Sequence, residues 1–398
     1  MNPGSPGLRC AHRNARKTRT VRIYLDHNAT TPLRPEVVDA MTQALREEFG
    51  NPSSVYVEGA RARAIVEEAR ARVAALLGAE SGEIRFTAGA TEANNSVVMG
   101  CLSPGDHVVT TQVEHPSVVA PLQWLEERGV SVSRVAPDQD GCVAAEDMAS
   151  AIGDRTKLLT MIWANNETGS IQPVEEVAEI CRERGVLMHV DATQAIGKIG
   201  VDLERVRADF LSSSAHKLGG PKGVGALVSR GGVTLPPLLH GGGQEKGMRG
   251  GTENVASIVG YGMACELAHS EGAARAEEYG KLRERLWQGI QANVDSVRWN
   301  GDPDRTLSNT LNIEFEGVAG EVLLQALDLE GVAASAGAAC HSGSIEPSGV
   351  LLAMGRTPEQ ARGSLRFSTG RGVDEEQIDQ VIRLLRELVP RVREAEAP

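Results

Sequence analysis

From residue 35 onward, apolar positions fall at two spacings. Pro35 to Phe49 and Glu58 to Leu77 place alanine, valine and leucine at helical intervals among glutamate and arginine, and read as helices. Short apolar runs recur at Glu83–Thr87, His107–Thr110, Val130–Val135, Lys157–Ile162, Val186–Val190, Phe210–Ser213 and Gly225–Val228. Helix-like segments such as Val118–Arg128 and Val174–Arg184 lie between most of them. This alternation predicts an α/β chain with a mostly parallel, helix-covered sheet of seven strands. Ligands on such sheets sit beyond the C-terminal ends of the strands, where the strand-to-helix loops gather.

The pattern changes after a glycine-rich stretch at 240–251. A long helical region runs from Val255 to Val294, followed by strand-like Thr310–Glu314 and Val332–Ser335 and a final helix, Glu375–Val392. This part reads as a smaller α+β domain. There is no internal repeat, Walker A loop or strand-anchored dinucleotide fingerprint, so a nucleotide enzyme is not supported.

At 398 residues, 41% hydrophobic and 24% charged, the chain has the size and composition of a globular protein with a full core. No apolar run approaches a membrane span and no secretory signal opens the chain, so no membrane partner is expected. A net charge of −12 argues against nucleic acid. The scattered cysteines (Cys10, Cys101, Cys142, Cys181, Cys265, Cys340) form no Cys-x-x-Cys pair, which argues against a metal site and for reduced thiols in the cytoplasm. Residues 1–20 carry five basic residues and no acid, and read as a disordered basic leader.

The candidate chemistry gathers at the predicted strand ends. Asp191 ends an apolar strand, and Lys217 follows another in Ser214-Ala215-His216-Lys217-Leu218-Gly219-Gly220-Pro221. Alone, these are a helix cap and a surface lysine. Together they suit pyridoxal 5'-phosphate: the amine forms a Schiff base and the carboxylate keeps the pyridine nitrogen protonated. Strand alternation would point His216 and Lys217 to opposite faces, so a backbone turn is predicted there. Lys222 is the nearest rival, but it lies past the turn. Gly89-Ala90-Thr91 stands between a strand and a helix start, an arrangement suited to an anion. Cys340 sits in a run of small residues, Ala336-Gly337-Ala338-Ala339-Cys340-His341-Ser342, that can carry a nucleophile between positions.

The stretch from about Ile23 to Arg371 resembles the cysteine desulfurases of the pyridoxal-phosphate class V aminotransferase superfamily, with selenocysteine lyases as close relatives. The resemblance rests on Leu25-Asp26-His27-Asn28-Ala29-Thr30-Thr31-Pro32, Thr87-Ala88-Gly89-Ala90-Thr91-Glu92, Glu114-His115, Asn165-Asn166-Glu167-Thr168-Gly169, His189-Val190-Asp191-Ala192-Thr193-Gln194, His216-Lys217 and Leu365-Arg366-Phe367-Ser368. It implies the type I transferase fold: a large cofactor domain over 31–270, and a small domain from 21–30 and 271–398 that carries the cysteine.

The resemblance also implies site roles. Ala90, Thr91, Ser214 and His216 hold the cofactor phosphate, with Thr252 of a homodimer partner. Asn166, Asp191 and Gln194 contact the ring, His115 stacks on it and moves protons, and Arg366 takes the substrate carboxylate. Lys217 and Cys340 carry the reaction: L-cysteine becomes L-alanine, and a Cys340 persulfide feeds a sulfur-acceptor protein, as in iron–sulfur cluster assembly. His27 stands where the family often has tyrosine. The alternatives are a lyase acting on L-selenocysteine, an aminotransferase that does not need Cys340, and a sulfur-carrier scaffold without turnover.

Overall fold

A computed structural model describes residues 22–336 and 346–396. Cys340 and His341 lie outside the described residues, as does the 1–20 leader. A two-residue strand, β1 (Ile23–Tyr24), comes first. Seven strands then build the main sheet: β2 (Ile84–Thr87), β3 (His107–Thr111), β4 (Ser131–Val135), β5 (Thr156–Ile162), β6 (Leu187–Asp191), β7 (Phe210–Ser214) and β8 (Gly225–Ser229). Their order is β2-β8-β7-β6-β5-β3-β4. Only β8 runs against its neighbours, so the sheet is mostly parallel, as the pattern predicted.

Consecutive strand residues feed opposite faces. Val108 and Leu158 join a core with Ala93, Val97 and Leu122 from the helices Ala90–Cys101 and Pro116–Glu126. Val109 and Leu159 join a second core with Val66, Val73 and Val177 from the helices Val57–Leu77 and Val174–Arg184. This is the period-two alternation of a sheet covered on both sides.

Beyond the main sheet come β9 (Val297–Trp299), β10 (Thr310–Phe315), β11 (Val332–Ala333) and β12 (Ser364–Ser368). Strands β12, β10 and β9 form an antiparallel sheet, and β1 pairs in parallel with β11. A third core surrounds them, built from Ile23, Leu25, Ile313, Phe315, Phe367 and Leu385 among others. The helix Val255–Asn293 bridges the two regions: Ile258 and Tyr261 pack in the large core, Leu286 and Ile290 in the small one. No described helix is long and apolar enough to cross a membrane.

Candidate active site

The C-terminal ends of β5, β6 and β7 open onto a cavity of about 960 Å3. Its lining includes Ala90, Thr91, His115, Asn166, Asp191, Gln194, Ser214, His216, Lys217 and Arg366, ten of the predicted site residues brought together from distant parts of the chain.

Lys217 ends a 310 turn, Ala215–Lys217, that follows β7 directly, so the predicted turn exists. Its Nζ donates to the carbonyls of Asn28 (2.5 Å) and Ala29 (2.8 Å). Burial, then Arg366, push its pKa down to about 8, against the opposing pull of Asp26 and Asp191. A larger share of the amine is therefore unprotonated near neutral pH than for an ordinary lysine. His216 contacts Thr30 Oγ1 through Nδ1 at 3.1 Å, and burial together with Lys217 and Lys222 brings its pKa down to about 4.

Asp191 closes β6 and is buried. Its Oδ1 accepts from the Thr193 amide (3.0 Å) and its Oδ2 from Asn94 Nδ2 (2.7 Å). Asn94 also donates to Ser117 Oγ at 2.8 Å, and Ser117 Oγ lies 2.8 Å from His115 Nδ1. His115 is the N-cap of the helix Pro116–Glu126: its Nδ1 accepts the Ser117 amide at 3.1 Å. An accepting Nδ1 leaves the proton of the neutral ring on Nε2. Burial lowers the His115 pKa, Lys217 lowers it further, and Asp191 opposes both.

Gln194 is held at both ends of its amide. Nε2 donates to the Asn28 carbonyl (2.8 Å) and Oε1 accepts from buried Lys198 Nζ (2.6 Å), which also reaches Asn28 Oδ1 (2.9 Å). The Asn166 carbonyl accepts from Arg366 Nη1 (2.9 Å) and Asn28 Nδ2 (3.2 Å). The helix Ala90–Cys101 starts at the cavity, and its N-cap, Gly89, has φ 149°, a left-handed conformation that favours glycine. No side chain caps this terminus. A Cβ on Gly225 of β8 would lie 2.8 Å from Gly89 Cα, so two glycines let the loop sit tight against the sheet.

The Aminotransferase class-V family model matches residues 23–381. This chain belongs to the class-V aminotransferase family. It is 44% identical over 379 residues to the cysteine desulfurase IscS of Clostridium botulinum strain Hall, covering 94% of this chain and 96% of that one. It is 43% identical over 380 residues to IscS of Methanosarcina thermophila, with 94% of each covered. Among solved structures, a NifS-like protein superposes with TM-score 0.87 at 36% identity, over 93% of this chain and all of that one. The structure of SspA in complex with cysteine gives TM-score 0.78 at 34% identity, over 87% of this chain and 98% of that one.

This class-V family uses pyridoxal 5'-phosphate, and the cavity fits it. A lysine amine of lowered pKa faces it, a carboxylate held by two donors lies at a strand end, and a helix N-terminus leaves its first amides free for an anion. The buried Thr193 Oγ1, also in the lining, has no hydrogen-bond partner among the described residues.

The placement differs from expectation at one point. Lys222 is not set apart from the site, because the loop after the turn folds back and puts it in the same lining. Thr252 is exposed and is not among the residues lining its own chain's cavity. Sequence reasoning missed Asn28, Asn94, Ser117 and Lys198. Asn94 carried one readable sign, a polar residue on the buried helix face that bears Ala93 and Val97.

Proposed function

We propose that this class-V family member is a cysteine desulfurase that converts L-cysteine to L-alanine and leaves the sulfur as a persulfide on Cys340. The observation that carries the reading is the convergence of Lys217, Asp191, His115 and Arg366 on one cavity, in a chain whose relatives bear that name. Bound pyridoxal phosphate would supply an electron sink for carbanionic character at the substrate's Cα and Cβ.

Lys217 holds the cofactor before substrate arrives, then removes and returns the Cα proton. Asp191, fixed by Asn94 and the Thr193 amide, would pair with the pyridine nitrogen of the bound cofactor. The amides at Ala90 and Thr91, with Ser214 and His216, would hold the phosphate, and Asn166 and Gln194 would contact the ring. His115, with its proton on Nε2, is set to donate to the departing side. Arg366 takes the substrate carboxylate.

Cys340 thiolate attacks the substrate sulfur: a sulfur–sulfur bond forms, the Cβ–S bond breaks, and protonation at carbon completes L-alanine. Burial pushes the thiols of Cys101 and Cys181 up to about 12 and that of Cys142 up to about 11, and none of them is in the lining, so they do not compete for this role.

The same reading includes a large domain over 31–270 and a small one from 21–30 and 271–398, supported by the separate cores, with the helix Val255–Asn293 crossing the boundary. It also includes a cytoplasmic homodimer in which exposed Thr252 reaches the neighbouring cofactor phosphate, and an acceptor protein for the sulfur, as in iron–sulfur cluster assembly. Sedimentation of a cofactor-retaining monomer would exclude the shared site.

Cys340→Ser tests the reaction. It should keep cofactor and bind cysteine, yet release neither sulfide nor alanine, while wild type given cysteine without reductant gains one sulfur on the Cys340 peptide. Undiminished desulfuration by the variant would overturn the mechanism. Loss of activity on cysteine with retained activity on selenocysteine would favour the lyase.

A further inference from the structure

Arg366 is engaged by acceptors of its own chain. Its side chain is 5% exposed on β12. Nη2 donates to Asp26 Oδ1 at 2.5 Å and Nη1 to the Asn166 carbonyl at 2.9 Å. Nε is buried and has no partner among the described residues. A bidentate grip on a carboxylate needs two adjacent N–H groups. Each terminal nitrogen carries two N–H groups and has spent one, so an incoming carboxylate shares Nη2 with Asp26 or Nη1 with the Asn166 carbonyl, and Nε is the one nitrogen of the group without an acceptor among the described residues.

Asp26 has little freedom to withdraw. Its carbonyl accepts from Tyr24 Oη (2.9 Å) and the Ala29 amide (3.0 Å), and its backbone bridges to Ser368, two residues beyond Arg366. An incoming carboxylate therefore meets an arginine whose charge is already partly met by a carboxylate on a fixed backbone. The same pair acts on Lys217 with opposite signs, Arg366 lowering its pKa and Asp26 raising it.

We propose that Asp26 is a positioning residue that acts through Arg366: an internal competitor that limits how tightly Arg366 holds the carboxylate of an amino-acid substrate or product. The proposal rests on the reading that Arg366 receives that carboxylate. Its consequence is ready release of L-alanine, which presents the same carboxylate as L-cysteine but no thiol.

The test uses holoenzyme titrated with L-alanine, read from the visible absorbance of the bound cofactor. Asp26→Asn keeps an oxygen for Nη2 and removes the charge. It should lower the dissociation constant for alanine roughly fivefold, the upper range for a partly exposed ion pair. The KM for L-cysteine should fall with it, and kcat should not rise. Structural damage would not tighten binding. Unchanged or weaker alanine binding by Asp26→Asn overturns the proposal.

If Asp26→Asn fails to hold cofactor, Asp26→Ser, which also removes the charge, takes its place under the same criteria. Arg366→Gln separates the two readings. If it leaves alanine affinity unchanged, the carboxylate binds elsewhere and both readings fall. If it weakens alanine binding while Asp26→Asn does not tighten it, only the competitor falls.

Discussion

Asn94 Nδ2 donates to Asp191 Oδ2 at 2.7 Å and, through Ser117 Oγ, connects that carboxylate to the ring of His115. The carboxylate and the histidine are thus held by one buried amide. Its oxygen, Oδ1, has no partner among the described residues, and turning the amide over would set that oxygen against the carboxylate. Asn94→Ala should cost about 1–3 kcal/mol of stability, the penalty for stranding buried acceptors, and weaken cofactor retention. Asn94→Asp should be worse, because it brings a second carboxylate to Asp191. Thermal denaturation with equilibrium dialysis of cofactor measures both. Retention by Asn94→Asp equal to wild type would contradict the arrangement.

Lys217 should carry the cofactor, although Lys222 shares the lining. Lys217→Ala should abolish covalent attachment, and borohydride reduction with peptide mapping should place the label on Lys217. Because the Lys217 pKa is down at about 8, the nucleophilic free amine is dominant above that pH and scarce below it. In apo protein the rate of attachment should rise through pH 8 and fall about tenfold per unit below it. A label on Lys222, or a midpoint near the ordinary lysine value, would reassign the role.

Lys198 offers a stability test. Burial lowers its pKa well below the ordinary value, and Lys217 and Arg366 lower it further. An unfolded lysine titrates near 10.4. As pH falls below that value the unfolded chain takes up a proton that the folded site refuses, so the native state loses stability, at up to about 1.4 kcal/mol per pH unit, until the folded pKa is reached. Lys198→Met removes this dependence and adds a pH-independent loss from stranding Gln194 Oε1 and Asn28 Oδ1. Relative to wild type, the variant's melting temperature should therefore improve as pH drops from 10 to 7. A difference that stays constant with pH would show that Lys198 titrates normally.

Local pattern carried much of the fold. The run at Lys157–Ile162 became β5 with its start one residue away, because a mostly buried strand keeps its apolar side chains together in sequence, and Val130–Val135 became β4, also one residue away, as a half-buried edge strand. Asp191 and Lys217 were legible because strand ends can be read from where apolar runs stop. The reversed direction of β8 was not legible, since an apolar run looks the same in either direction. Neither was β1, whose two residues gain meaning only against β11. The polar contacts of Asn28, Lys198 and Asn94 were hidden for a similar reason: each joins residues far apart in the chain. The resemblance implies a carboxylate-binding role for Arg366, but its pairing with Asp26 depends on a fold that brings residues 26 and 366 together.

The pairing of Ile23 with Val332 and Tyr24 with Ala333 sets an order on synthesis. The seven strands of the main sheet lie between residues 84 and 229, so that sheet can close while the rest of the chain is still being made. Strand β1 leaves the ribosome first, yet its partner follows about three hundred residues later, roughly half a minute at ordinary elongation rates. During that interval Ile23 and Leu25 have no core to enter. A nascent chain halted before β11 would therefore present a folded main sheet with its amino-terminal strand still open to chaperones and proteases.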